Sequence, residues 1–316
     1  MNPKRIIVAG GSGFIGRALA TEFCTRGYEV VVLTRSPRQR GDAGREVRWD
    51  GEKAGGWISV LDGAHAVINL AGQSINCPHT PENLRSITAS RVNSVNAIAA
   101  GMASAKIPPR VWVQASAVGF YGDTGDRLCD ETAPAGNDAL AKICREWEGV
   151  FCGGDAASPG RCGGGGVPTR KVVLRIGLVL GHDGGALPLL SRMTKWFLGG
   201  AAGSGRQFVS WIHLADLARM FAAAAEDEKL TGVFNAVGPR PATNAGFMRE
   251  LRRALHRPWS PPAPAFVVKL GARLMGSEGS LALVSQHCVP KRFLDAGFQF
   301  QFAELASALN DLCRKR

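Results

Sequence analysis

The feature that most constrains this chain is the stretch KRIIVAGGSGFIG at residues 4–16, close to the start of the sequence. A short run of β-branched residues leads into glycines and then into the amphipathic stretch FIGRALATEFCTRG. This order predicts a strand, a tight turn and a helix that ends near Gly27. Because Gly10, Gly13 and Gly16 are spaced three apart between a strand and a helix, they favour a phosphate site at the helix N-terminus. A glycine turn without a ligand is the alternative, and the flanking strand and helix weigh against it.

In a dinucleotide site, the first glycine lets the chain turn, the second brings N–H groups close to a pyrophosphate, and the third allows close packing. A later apolar run, AVINLAG at residues 66–72, ends in small residues, as expected for a buried parallel strand whose end faces the cofactor. The predicted cofactor contacts in these two turns are Gly10, Gly13, Phe14, Ile15, Gly16, Leu70, Ala71 and Gly72.

The last residue of the second predicted strand, YEVVVLTR, distinguishes between two cofactors. Sites for NAD usually place Asp or Glu there, where the carboxylate binds the ribose 2′-hydroxyl. This chain has Arg35 instead, and a guanidinium can hold a 2′-phosphate, so the sequence favours NADP(H). Arg38 is a second candidate for the same contact. The alternative is that these arginines are merely solvated in a surface loop.

Strand and helix patterns alternate through the first part of the chain. The helical pattern at 82–104 and the strand VWVQASAVGFYG at 111–122 continue the order, and KVVLRIGLVLG supplies a further strand. We therefore predict an α/β fold with a Rossmann-type doubly wound parallel sheet. Helical patterns dominate beyond it, at 187–198, 214–227, 243–256, 263–275 and 302–313. The glycine-rich residues 152–170 have the composition of a loop inserted between a helix and a strand.

Composition excludes several classes of protein. The chain of 316 residues carries a formal net charge of +12, but its Lys and Arg are dispersed and no basic run is interleaved with aromatics, so we expect no nucleic-acid partner. Anionic small molecules account for the positive charge equally well. The eight cysteines form no CxxC pair and no zinc-like cluster with histidine, so no metal site is predicted. No apolar run approaches the roughly 20 residues that span a bilayer, and no signal peptide fits, so we expect a cytoplasmic protein without a membrane partner.

The motifs GGSGFIG, NLAG, QASAVGFYGD, LRIGLVLG and RQFVSWIHLADLA, in that order, resemble the extended short-chain dehydrogenase/reductase superfamily, which contains NAD-dependent epimerases and dehydratases. Within it, SAVGFYGDTGDR, CREWE, RIGLVLGHDGGAL and VPKRFLDAGFQFQF are similar to the atypical YfcH-like epimerase family. The resemblance implies an NADP-binding Rossmann domain at 1–180, to which 207–240 partly returns, and a smaller, mostly helical substrate-binding domain at 181–316. Extended members often form homodimers, and the helices at 82–104 and 138–151 are the candidate interface.

The resemblance also exposes a departure from the superfamily. Active members place a serine after the fifth strand and a YxxxK motif on the next helix, where tyrosine and lysine move a proton. Ser116 matches that serine, which implies contacts with both substrate and cofactor, but Leu140 and Cys144 occupy the tyrosine and lysine positions. Lys142 lies two helical steps away and is expected to face solvent. Tyr121 is the only nearby phenol and hence a second catalytic candidate, with packing of its own loop as the alternative.

Two arginines are candidate substrate ligands. The resemblance implies that Arg206, in GSGRQ, lines the substrate cleft, where it could bind phosphate or carboxylate, with a salt bridge at the rim as the alternative. Arg91, on the helix that borders the cleft in extended members, is a second anion contact. His213 and Asp216 resemble a catalytic pair, but a carboxylate near a helix start suits capping better.

These patterns leave two functions open. The first is an NADP(H)-dependent oxidoreductase or epimerase-like enzyme that acts on a small polar, anionic substrate. The second is a non-catalytic NADP(H)-binding protein that senses redox state, which would need the glycine turn but not the missing tyrosine and lysine.

Overall fold

The computed structural model describes residues 3–38, 44–153, 169–274 and 276–314. The strands in this part of the chain are β1 (Arg5–Ala9), β2 (Glu29–Thr34), β3 (Arg45–Arg48), β4 (Ala66–Asn69), β5 (Val111–Ala117), β6 (Arg170–Ile176), β7 (Leu178–Leu180), β8 (Phe208–Val209), β9 (Trp211–His213), β10 (Gly232–Ala236) and β11 (Ala242–Thr243). The helices are α1 (Phe14–Thr25), α2 (Pro81–Ser104), α3 (Ala139–Cys152), α4 (Leu187–Lys195), α5 (Leu214–Glu226), α6 (Asn244–Ala254), α7 (Ala265–Leu274), α8 (Lys291–Asp295) and α9 (Leu305–Cys313).

Within the described ranges, seven strands form one parallel sheet in the order β10-β6-β5-β4-β1-β2-β3. The chain moves from β1 to β2 in one direction and from β4 to β5 in the other. Since crossovers between parallel strands are right-handed, α1 and α2 lie on opposite faces of the sheet. Helix α5 packs against α1, and α3 packs against α2, so both faces are covered. The predicted Rossmann-type doubly wound sheet is confirmed.

The central strands are buried on both faces because helices cover them. All residues of β4 and β10 are buried, and β1 is buried from Ile6 onward. Such strands read as continuous apolar runs rather than alternating ones, which is why the positions of β1 and β4 could be predicted. A second apolar cluster joins α4, α6 and α9 around Trp211, outside the sheet. The C-terminal region is mostly helical, as predicted, while the domain division at residue 180 stays a prediction.

Some predicted boundaries shift for local reasons. Strand β5 ends at Ala117, and residues Val118–Tyr121 form a 3₁₀ turn instead of continuing to 122. Helix α4 ends at Lys195 rather than 198, because Phe197 takes a left-handed φ of 62° and the chain folds back on the last turn. The sequence patterns missed α8 and both edge strands of the sheet, β3 and β10. The loop predicted at 152–170 falls mostly outside the described residues.

Candidate functional site

The glycine turn has the close contacts that its sequence predicts. Gly10 has a φ of +76°, a conformation that favours glycine, and a Cβ there would lie 3.0 Å from the backbone N of Ala71. The turn after β1 and the turn after β4 therefore touch. At Gly16, in the first turn of α1, a Cβ would lie 2.4 Å from Gly11 Cα, so this helix packs directly on the glycine loop. Only glycines allow both approaches.

The N-terminus of α1 is open. Its N-cap residue, Gly13, is exposed and provides no side-chain hydrogen bond to the first helical N–H groups. A helix end of this kind offers free donors and a positive dipole end to a diphosphate. Phe14 turns its ring away, against Gly181 and Gly184, and Ile15 packs against the core, so these two residues present backbone only. The donor set fits the pyrophosphate of a nicotinamide dinucleotide.

The end of β2 lies beside the glycine turn, because Gly10 N donates to Leu33 O at 3.0 Å. Thr34 Oγ1 bonds Ser12 Oγ at 3.0 Å, which ties the two segments together at the point where the chain leaves the sheet. Arg35 and Arg38 are exposed just beyond this contact. Among the described residues, neither guanidinium has a carboxylate within salt-bridge distance. Both cations remain available for an anionic group at this corner.

The turn after β4 is held by a side chain that sequence reasoning did not single out. Asn69 is fully buried; its Oδ1 accepts from Ala71 N at 3.0 Å, and its Nδ2 donates to Ser94 Oγ and Gln114 Oε1. This fixes the predicted cofactor residues Leu70, Ala71 and Gly72 next to the glycine turn. A buried asparagine at the end of an apolar strand was the sequence signal available for it.

Ser116 and Tyr121 belong to one buried hydrogen-bond network. Ser116 Oγ donates to Glu148 Oε1 at 2.6 Å, and the Glu148 carboxylate accepts two bonds from Arg175, at 2.9 and 2.7 Å. Arg175 Nη1 donates to the Tyr121 hydroxyl, which donates to Asn235 Oδ1 at 2.7 Å. The Arg175 guanidinium also lies 3.3 Å from the centre of the Phe120 ring. Strands β5, β6 and β10 are thus joined by buried polar groups.

This network limits what the two predicted catalytic residues can do in the described conformation. The Tyr121 side chain is fully buried, and burial raises the pKa of its phenol above the ordinary value. Its hydroxyl already has a donor and an acceptor, so the packing alternative left open by the sequence fits Tyr121 better. Ser116 is also buried, and its proton is directed to Glu148. The hydroxyl oxygen of Ser116 keeps acceptor capacity for a neighbouring group.

The positions of the missing tyrosine and lysine face the same turn. A Cβ at Gly119 would lie 3.8 Å from Leu140 Cβ and 4.0 Å from Cys144 Sγ, so both side chains point to the segment that follows Ser116. Lys142 is exposed, on the other side of α3. Burial, followed by the nearby Glu148 carboxylate, raises the pKa of Cys144 to about 12. That thiol stays protonated at neutral pH and is a poor proton donor.

One polar side chain at this place was missed. A Cβ at Gly119 would also lie 3.9 Å from Gln286 Nε2, so this amide lies next to Leu140 and Cys144. Its backbone N donates to Phe208 O, while its amide has no hydrogen-bond partner among the described residues. The residue lies far along the chain in a segment without secondary-structure periodicity, so only the three-dimensional fold brings it here.

The two predicted substrate arginines have different surroundings. Arg91 Nη1 donates to the backbone oxygens of Gln73 and Ile87, and its guanidinium lies 5.0 Å from the centre of the Trp147 ring. Burial lowers the pKa of Arg91, and it packs against Gly72 in the turn after β4. Arg206, by contrast, is exposed and forms no ion pair with any described residue.

Arg206 lies close in sequence to a strand that reaches the site. Phe208, two residues later, accepts from Gln286 N at 2.9 Å, and Gln286 contacts the turn after Ser116. The salt bridge considered as an alternative for Arg206 is not formed within the described ranges, which leaves this guanidinium available to an anion.

His213 and Asp216 have structural partners. His213 Nδ1, rather than Asp216, caps α5 by accepting from Ala215 N at 3.1 Å. The Asp216 carboxylate accepts from the N–H groups of Gln301 and Phe302 and so ties α5 to the segment before α9. The described ranges contain no cluster of His, Cys, Asp and Glu that could hold a metal ion. No helix in them is long and apolar enough to cross a membrane.

Comparison with known proteins places this site in a family. Residues 6–238 match the model of the NAD dependent epimerase/dehydratase family, and residues 263–312 match a domain of unknown function, DUF1731. The human protein named epimerase family protein SDR39U1 is 35% identical over 313 residues, covering 98% of this chain and 99% of that protein. Its Arabidopsis thaliana homologue, named chloroplastic, is 33% identical over 309 residues, covering 96% of this chain and 85% of that protein.

A solved structure extends the comparison to three dimensions. The crystal structure of human SDR39U1 (isoform 2) with NADPH superposes with a TM-score of 0.82 at 33% identity, and it covers 98% of this chain and 99% of that one. The alignment of fold and sequence over nearly the whole chain therefore includes both the cofactor turns and the C-terminal segment that supplies Gln286.

Proposed function

The chain belongs to the NAD dependent epimerase/dehydratase family, and we propose that it is an NADP(H)-dependent oxidoreductase or epimerase-like enzyme for a small polar, anionic substrate. The observation that carries the cofactor assignment is the open N-terminus of α1 beside an unpaired Arg35 at the end of β2. Human SDR39U1 crystallised with NADPH supports the phosphorylated form of the cofactor.

Each cofactor group has a candidate partner in this chain. Backbone N–H groups at Phe14 and Ile15 hold the pyrophosphate at the positive end of α1, while the Gly13 N–H donates to Gly10 O within the turn. Arg35, with Arg38 as a second donor, binds the ribose 2′-phosphate through charge-assisted hydrogen bonds. When bound, the cofactor supplies hydride chemistry at its nicotinamide ring.

The substrate end is built from Arg206, Gln286 and Ser116. The exposed Arg206 attracts an anionic group of the substrate, because no carboxylate among the described residues neutralises it. The Gln286 amide donates a hydrogen bond at the place where related enzymes have their tyrosine and lysine. Ser116, held by Glu148, offers an acceptor on the floor of the cleft. Arg91 borders the same cleft and contributes positive charge to it.

These groups position and polarise a substrate, but they include no strong general base. Burial keeps the Cys144 thiol protonated, and the Tyr121 hydroxyl is already bonded on both sides. A reaction in this site therefore needs proton transfer from solvent or from the substrate itself. Removing a general acid or base ordinarily costs about 10²–10⁴-fold in rate, so we expect slow turnover compared with enzymes that have both groups.

Turnover is tested by following NADPH absorbance with a panel of small carbonyl acids, sugar phosphates and nucleotide sugars. Replacing Gln286 by Ala should lower kcat by about 2- to 13-fold, the value of one neutral hydrogen bond of about 0.5–1.5 kcal/mol. Replacing Arg206 by Gln should raise KM for anionic substrates and leave uncharged ones unchanged. Arg85→Gln, on the exposed face of α2, is the matched control. Unchanged kcat in Gln286→Ala and unchanged KM in Arg206→Gln would contradict this assignment of the cleft.

A non-catalytic NADP(H)-binding redox sensor is the second candidate. It is favoured by one observation: the hydroxyls of Ser116 and Tyr121 are both engaged in a buried network. A sensor must bind NADP⁺ and NADPH with different affinities, because a ligand shifts a conformational equilibrium only through differential binding. Equal affinities for the two forms together with measurable turnover would eliminate this alternative.

A cytoplasmic location and a homodimer through α2 and α3 complete the proposal. These two helices pack side by side on one face of the sheet, so their outer surfaces are available to a second copy. Sedimentation velocity of the purified protein tests the dimer, and substitution of Val150, exposed on α3, by Asp should dissociate it. A monomer at all concentrations would contradict it.

A further inference from the structure

Helix α7 carries an apolar face that nothing in the described structure covers. Phe266, Leu270 and Leu274 are spaced four residues apart, with Val267 beside them, and all four are exposed; Leu270 is 57% and Leu274 80% accessible. At 100° per residue they occupy a single arc of about 100°. The opposite side of α7 packs inward, since a Cβ at Gly279 would lie 3.1 Å from Ala272 Cβ. The helix is therefore docked by one face and open on the other.

The exposed face continues onto a neighbouring turn. After α4, residues Trp196, Phe197 and Leu198 are exposed, and Trp196 is 76% accessible. This turn lies beside the segment before α7: the Arg257 guanidinium is 5.4 Å from the centre of the Phe197 ring, and Ala263 N donates to Ala201 O. Trp259, in that segment, is also exposed. We call these eight residues the α7 patch: Trp196, Phe197, Leu198, Trp259, Phe266, Val267, Leu270 and Leu274.

Positive charge predominates around the α7 patch in the two sequence segments that build it. Residues 184–215 and 251–277 contain eight Arg and Lys residues and no Asp or Glu. The two carboxylates next to the second segment are already engaged: Glu250 pairs with Arg249 and Arg253, and Glu278 accepts from His79 N and Ser280 N. Lys269 and Arg273 are exposed and stand one position before Leu270 and Leu274, so they border the apolar arc along one side of α7. Lys195 is exposed at the end of α4, next to Trp196.

This charge distribution distinguishes between two possible partners of the α7 patch, a second copy of the chain and an anionic surface. A second copy of the chain, placed patch to patch, would bring the exposed cations Lys195, Lys269 and Arg273 close to the same cations of the partner. An anionic surface is complementary instead. The side chains are exposed on the outer face of α7 and on the turn after α4, and two tryptophans lie among them. Exposed aromatic and aliphatic residues bordered by Lys and Arg are typical of helices that lie in the interface of a membrane with anionic lipids.

We infer that the α7 patch docks this protein on the surface of an anionic lipid bilayer. Helix α7 then lies parallel to the membrane, with Phe266, Leu270 and Leu274 among the headgroups and with Lys269 and Arg273 near lipid phosphates. The expectation of no membrane partner was drawn from the lack of a spanning segment, and a helix lying on a surface needs none. The inference is independent of the proposed catalytic function.

Vesicle co-sedimentation of the full-length protein tests this docking. We expect binding to vesicles of equal parts phosphatidylcholine and phosphatidylglycerol, and much weaker binding to phosphatidylcholine alone. The double variant Lys269→Gln/Arg273→Gln should weaken binding about 30-fold, which corresponds to about 1 kcal/mol for each cation near an anionic membrane. High salt should weaken the wild type in the same direction.

A matched pair of apolar variants separates docking from misfolding. Leu270→Ser removes an apolar contact from the α7 patch, whereas Ile107→Ser changes a side chain of similar exposure, 65%, in the loop between α2 and β5. Both should fold and bind NADPH like the wild type, and only Leu270→Ser should lose vesicle binding. Equal binding to both kinds of vesicle, or no binding to either by folded protein, would overturn the inference. Dimers that dissociate on Leu270→Ser would overturn it as well, by assigning the patch to a second copy.

Discussion

The buried pair of Glu148 and Arg175 should be the most sensitive single point of the fold. The Arg175 side chain is 1% exposed, and its guanidinium makes both of its ionic hydrogen bonds to one carboxylate. Replacing Glu148 by Gln removes the negative charge and presents an amide NH₂ to groups that are themselves donors, Arg175 and Ser116. An uncompensated buried charge of this kind costs about 3–5 kcal/mol, so we expect the free energy of unfolding to fall by that amount.

Urea denaturation followed by circular dichroism measures this loss, with two further variants as references. Glu82→Gln breaks the exposed pair between Glu82 and Arg85 and should change stability by less than about 1 kcal/mol. The double variant Glu148→Gln/Arg175→Met removes both charges. Its loss of unfolding free energy should therefore be smaller than the sum of the losses in the two single variants, by about 0.5–3 kcal/mol. If Glu148→Gln behaved like Glu82→Gln, the buried network could not be holding β5, β6 and α3 together.

Three further predictions follow from single sites. Gly16→Ala should destabilise the protein by about 1–3 kcal/mol and abolish NADPH binding, because a Cβ would lie 2.4 Å from the glycine-loop backbone. Gly271→Ala, in α7, should stabilise the protein by about 0.5–1 kcal/mol, because no atom lies within 4 Å of the added Cβ. Equal shifts of the melting temperature for the two variants would contradict this. Burial lowers the pKa of His213, so the unfolded chain binds more protons below about pH 6.5 and the free energy of unfolding should fall on acidification. In urea titrations at several pH values, His213→Asn should reduce the dependence of this free energy on pH. An unchanged dependence would exclude His213 as its source. Burial raises the pKa of Cys144 to about 12, so iodoacetamide at pH 8 should label Cys77 well before Cys144 in the native protein. Equal rates of labelling at the two cysteines, measured by mass spectrometry, would contradict the burial of Cys144.

Local and long-range features differ in how far the sequence predicts them. The turn from β1 into α1 was predictable because its strand, glycines and helix are contiguous, and steric limits at Gly10 and Gly16 leave few substitutes. The buried strands β1 and β4 were predictable from their apolar runs. The end of α4 was not, because it depends on a left-handed residue, Phe197, that no composition signal marks.

The interior of the site could be predicted only in part. Ser116 was found from its motif, but its partner Glu148 is 32 residues away, and Arg175 and Asn235 join the network from two further strands. Such polar contacts depend on strand order, which periodicity does not give. Gln286 reaches the turn after Ser116 from the C-terminal region, so local patterns could not reveal it either.

The central claim is that the glycine turn and Arg35 together bind NADP(H), and calorimetric titration of the purified protein with NADP⁺, NADPH, NAD⁺ and NADH tests it most directly. We expect the two phosphorylated cofactors to bind more tightly than the other two. Arg35→Ala should weaken NADP(H) binding by about 1.5–3 kcal/mol, the value of a charge-assisted hydrogen bond, with the lower end favoured because Arg35 is exposed, and should leave NAD(H) binding nearly unchanged. No binding of any of the four cofactors, or equal binding of all four that does not respond to Arg35→Ala, would contradict the account.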